Sequence, residues 1–140
     1  PGLLIAIFGQ GLLNIIHSRV ELLPTNDWLL LVAAAALMRY GAVHLQFVTI
    51  QNKVLWHIAN GISGTLFLGS LLIATRFLTA ATAYAFAYFI GASLFYAPYS
   101  VVNSYRMLKP EVRRRDMLIA IALFGVLVAG SMLLQVLSRL

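Results

Sequence analysis

An all-α integral membrane bundle of five transmembrane helices is the fold class this chain predicts, on three observations. Of its 140 residues 61% are hydrophobic and 10% charged, with a mean hydropathy of +0.91. That leaves too few polar side chains to build the shell a soluble core of this size requires. The apolar residues gather into stretches of the 20 or so residues that one crossing takes. Between them stand short polar breaks with turn chemistry, which leave no length for a soluble domain. Cysteine is absent, which excludes disulfides, thiolate metal sites and thiol catalysis.

The first span is expected near 2–22. It lacks the basic leader of a signal peptide and reads as a helix, and the start at Pro1 predicts that the natural beginning is missing or processed. Gln10, Asn14, His17 and Glu21 are spaced by 4, 3 and 4 residues, so at 100° per residue they form one polar stripe facing protein or water. Pro24, Asn26 and Asp27 break the chain before a second span at 28–50. Arg39 falls near the midplane of that span, where a charge costs roughly 2.5 to 3.5 kcal/mol unless it meets protein, water or a partner. Matching depths on adjacent helices name Gln10, Asn14 and a reaching Glu21 as its partners. Arg39, Gln46 and Lys53 recur every seven residues, while Tyr40, His44 and Gln51 share a face turned by roughly 120°.

Gln51-Asn52-Lys53 is a hairpin turn into a third span at 54–75. Lys53, His57, Asn60 and Gly64 align there, and Gly61 with Thr65 makes a small-residue pair. Small residues let helices approach closely in lipid, so tight packing of the second span on the third is expected, with a hydrogen bond from His44 to Asn60. The fourth span, 80–105, carries Tyr84, Tyr88, Phe95 and Tyr99 on one aromatic face with Arg106, and Pro98 is expected to kink it. The fifth, 117–138, has almost no polar side chain before Ser131 and Gln135. Gly125 and Ala129 offer it one packing seam, so it reads as lipid-facing or as a contact for another subunit.

The break from Arg106 to Asp116 is the most polar. Arg106, Lys109, Arg113, Arg114 and Arg115 lie in it, and with Lys53 they put that side of the membrane on the cytoplasmic or equivalent face. The amino end is then inside and the carboxyl end outside. Most of the +6 net charge sits in this one segment, which suits anionic lipid headgroups at roughly 1 kcal/mol per residue. It does not suit nucleic acid, whose readers need a broad basic soluble surface.

Catalysis finds little support. The sequence has no nucleophile elbow and no phosphate-cradling loop, and its four carboxylates all fall near span ends or in breaks. No metal site is expected, because no histidine pair has the spacing of helical ligands. No cofactor is expected either, with b-type haem held by His44 and His57 as a lesser alternative. A polar intramembrane network of Gln10, Asn14, His17, Glu21, Arg39, Tyr40, His44, Gln46, His57 and Asn60 is the candidate site.

Arg39-Tyr40 followed by His44, the run Leu66-Phe67-Leu68-Gly69-Ser70-Leu71, and His17 closing the first span together resemble the YgdD-like family of small four-helix membrane proteins of unknown function. The resemblance covers residues up to about 105. It implies a four-helix fold and no agreed activity, and the fifth span lies outside it. The function expected from the chain as a whole is that of a non-catalytic accessory or assembly subunit of a larger membrane complex, in contact with lipids and with other subunits or copies of itself. The competing expectation is a small oligomeric channel or transporter conducting along the polar stripe around Arg39.

Overall fold

A computed structural model describes residues 9, 11–16, 23–50 and 55–137. The described residues are helical and turn segments without a strand. Helix α1 spans Thr25–Thr49, α2 Trp56–Ala74, α3 Ala80–Gly91, α4 Ala97–Tyr105 and α5 Pro110–Leu137, and a π-helical turn at Ala92–Tyr96 joins α3 to α4. Three of these elements, α1, α2 and the continuous run Ala80–Tyr105, are long and apolar enough to cross a membrane. Residues 11–15 are helical, and most of the first expected span, with Gln10, His17 and Glu21, lies outside the described residues.

The helix boundaries follow local chemistry. Pro24 precedes α1, where its lack of an N–H costs nothing. The Thr79 hydroxyl caps α3 by accepting from the Thr82 backbone N–H at 3.4 Å. Pro110 opens α5 with Glu111 in the first turn, the residue types that favour a helix start. This corrects the expected boundary of the last span. The break is only 106–109, and Arg113, Arg114, Arg115 and Asp116 ride on the helix.

Pro98 acts through the wide turn just before it. A proline inside a helix removes one backbone donor, and its ring crowds the carbonyl four residues back, here that of Leu94. The π turn at Ala92–Tyr96 takes up this conflict. Two side chains then return to carbonyls beside the break, Ser100 Oγ donating to Tyr96 O at 2.5 Å and Asn103 Nδ2 to Tyr99 O at 2.8 Å.

The broken helix Ala80–Tyr105 is the centre of the bundle. Helix α1 packs along its whole length and α2 along α3 and the π turn. α1 runs parallel to it, because Thr82 meets Asp27 near the start of each and Gly41 meets Tyr96 and Ala97 midway. α2 runs antiparallel, pairing Ser63 with Gly91 and Phe67 with Tyr84 and Tyr88. The expectation that the second and third spans pack tightly on each other is therefore overturned. Tyr96, 2% exposed, stands between them with Leu45 on one side and Ala59 on the other. Their direct tie is at the hairpin end, where Trp56 Nε1 donates to Thr49 Oγ1 at 3.2 Å.

Close approaches occur at glycines, though not the expected ones. A Cβ on Gly41 would meet the Tyr96 ring at 2.8 Å, and one on Gly91 would meet the Ser63 carbonyl oxygen at 2.8 Å. Gly61 and Gly64 face open space. Both contacts lie on the central helix, because lipid gives helices no hydrophobic reason to associate and backbone-to-backbone packing does that work.

Candidate functional site

The polar residues converge at one place, where the lower ends of α1 and α4 meet the start of α5. Asp116 is its centre. It sits six residues into α5, about 9 Å along the axis at 1.5 Å per residue, and its side chain keeps 30% exposure. One of its oxygens, Oδ2, accepts from Tyr40 OH at 2.7 Å and from Tyr105 OH at 2.7 Å, and lies 3.3 Å from His44 Nε2. The two phenol oxygens are 3.4 Å apart. Two phenol donors and an imidazole from two helices thus meet a single carboxylate oxygen from a third.

Local geometry accounts for the convergence. Tyr40 and His44 are one helical turn apart on α1, so both face the same way. Their rings meet edge-on at 4.6 Å, and Tyr105 closes on His44 edge-on at 5.6 Å. His44 is buried and its Nδ1 has no partner among the described residues. Arg113, one turn before Asp116, folds back over the end of α4. It donates to Tyr105 O at 2.5 Å and Leu108 O at 3.2 Å, and its guanidinium lies 5.8 Å from the Tyr105 ring centre. The Tyr105 carbonyl closes α4 at the negative end of its dipole, so a cation is favoured there, and the Leu108 carbonyl lies in the connection to α5.

Other expected site residues lie elsewhere. Arg39 and Gln46 are exposed on the opposite face of α1. Among the described residues Arg39 has no ion-pair or hydrogen-bond partner, and of the partners expected for it only Asn14 falls within them. The expected bond from His44 to Asn60 is not formed, because His44 turns to Asp116 and Asn60 lies on the side of α2 that faces α3. His57 is exposed on α2, whereas His44 is buried with its Nε2 3.3 Å from Asp116 Oδ2. The aromatic face is split by the π turn. Tyr84 and Tyr88 group with Phe67, whereas Phe95 and Tyr99 stack on each other at 5.0 Å further along. Of the basic segment, Arg106, Lys109, Arg114 and Arg115 are exposed, and Arg113 is the one turned inward.

Tyr105 and Asp116 are the residues that sequence reasoning missed. A signal for Asp116 was present. Pro110-Glu111 is a helix start, and counting from it puts Asp116 on the helix rather than in a break. At the other end of the bundle a smaller carboxylate site holds α1 to α3, with the buried Asp27 accepting from Thr82 Oγ1 at 2.9 Å.

The arrangement can fix three helix ends, and it can hold a proton or release one among four titratable groups. No protein-family model, curated protein or solved structure matches this chain.

Proposed function

We propose that this chain is a non-catalytic, five-span membrane protein serving as an assembly subunit of a larger membrane complex. The observation that carries the reading is the state of α5. It is held to the bundle by Asp116 and Arg113 in its first two turns, and beyond them it exposes Met117, Leu118, Ile119, Ile121, Leu123 and Val126 without extended contact to the other described helices. An apolar helix fastened at one end and exposed from Met117 to Val126 is a surface for a second chain. The polar cluster supports the same reading, because phenols from two helices donate to one carboxylate oxygen of a third and so brace helices. In this proposal the exposed Arg106, Lys109, Arg114 and Arg115 face the cytoplasmic or equivalent side and its anionic headgroups, with the amino end on that side and the carboxyl end opposite.

Native mass spectrometry of the particle extracted in mild detergent tests it. The expected result is a stoichiometric complex with unrelated chains, lost when Leu118, Ile121 and Leu123 are changed together to serine. A monomer or a pure homo-oligomer overturns it.

A second reading, a small proton- or cation-conducting protein, rests on the burial of His44 beside Asp116 inside the bundle, since ionisable groups in that setting mark conduction paths. It moves the centre of the path from Arg39 to Asp116. Flux through proteoliposomes that Asp116→Asn abolishes, in a bundle that stays folded, would favour it over the subunit reading.

A further inference from the structure

Between α2 and α3 lies a cavity of about 270 Å³ that shares no residue with the Asp116 cluster and is lined in part by Asn60, Gly64, Phe67, Tyr84 and Tyr88. We propose that it binds the head ring of a membrane-soluble quinone. The volume is just under the roughly 300 Å³ at which pockets begin to take drug-sized ligands, so it holds one ring rather than a whole lipid. Its wall is flat and aromatic. Tyr84 and Tyr88 lie at 18° to each other along α3, and Phe67 stands across them at 82° and 88°. Opposite them Gly64 carries no side chain, and a Cβ there would meet nothing within 4 Å.

The polar groups choose among lipid-phase ligands. Asn60 lies seven residues from Phe67, about 10 Å along α2, so an amide donor stands toward one end of the cavity and the two phenols toward the other. None of the three side chains has a hydrogen-bond partner among the described residues, and a polar group left unmatched inside a bilayer is costly. A quinone offers a flat ring with a carbonyl acceptor on each of two opposite edges. An acyl chain offers no acceptor, and a sterol has a single hydroxyl and a ring system that is not planar. Asn60 and Tyr84 on the rim are exposed, which leaves a lateral way out for the isoprenoid tail.

Isothermal calorimetry of the full chain in detergent with decyl-ubiquinone tests the assignment. The expected result is saturable binding of one molecule per chain. Gly64→Phe, whose Cβ meets nothing within 4 Å and whose ring would occupy the cavity, should abolish it while helical content and unfolding temperature hold. Asn60→Leu and Tyr88→Phe should each weaken binding about fivefold, the worth of one hydrogen bond near 1 kcal/mol. Absence of saturable binding, undiminished binding in Gly64→Phe, or equal competition by decanol or cholesteryl hemisuccinate would overturn the quinone assignment.

Discussion

Each end of the bundle is tied by an aspartate, and the two ties differ in kind. Asp27 is 5% exposed, sits in the first turn of α1 and takes one hydroxyl from Thr82. Its charge is eased by the helix N-terminus on which it rides, so it pins one pair of parallel helices and asks little of its surroundings. Asp116 lies in the second turn of α5 and gathers His44, Tyr40 and Tyr105 on one oxygen. The comparison teaches that what sets the weight of a buried carboxylate is the number of helices whose donors depend on it. Removing Asp27 leaves the Thr82 hydroxyl its second partner, the Thr79 hydroxyl at 2.9 Å; removing Asp116 leaves two phenols with only their long 3.4 Å contact and takes from His44 Nε2 its acidic neighbour.

The largest expected effect follows from that difference. Asp116→Leu should destabilise the bundle by about 3 kcal/mol, the low end of the range for breaking a buried pair because the side chain retains some exposure. Unfolding in mixed micelles followed by circular dichroism measures it, and a loss no greater than that of the Asp27 variant would remove the distinction drawn here. Asp27→Ala should cost about 1.5 kcal/mol, the value of one hydrogen bond to a charge, and adding Thr82→Ala should change little more. Arg113→Ala should cost about 1 kcal/mol through the uncapped end of α4. Limited proteolysis of the 106–109 connection would show it as faster cleavage at Arg106 or Lys109. Arg39→Leu should shift stability by no more than about 0.5 kcal/mol if that face meets only lipid or another chain. A larger loss in the isolated protein would show that Arg39 has an internal partner, as the sequence first suggested.

Much of the helical layout was legible in sequence, because spans are dictated by a local quantity, the length of an apolar run between turn residues. The shared face of Tyr40 and His44 was legible for the same reason, being a matter of helical period. Partnership was not. Helices α1 and α2 follow one another in sequence, and nothing in the segment between them announces that Tyr96, some forty residues on, will stand between them. Gly61 and Thr65 looked like a packing seam from spacing alone, whereas Gly41 and Gly91 became the close approaches because of what faces them. Asp116 was hidden by its company. Three arginines precede it, and a run of charges reads as a solvated break even where a helix has already begun.

The wide turn at Ala92–Tyr96 has a consequence for evolution and for engineering. It carries about one residue more than an α-helical turn, and one residue is roughly 100° of rotation about the axis. It is in effect a phase shifter set midway along the central helix, and the azimuth of Tyr105 depends on it. Deleting a single residue between Ala92 and Tyr96 would leave the hydropathy profile almost untouched and every span long enough, yet swing Tyr99 through Tyr105 out of register with α1 and α5. A chain with the same spans and no such turn would be a different machine at its lower end.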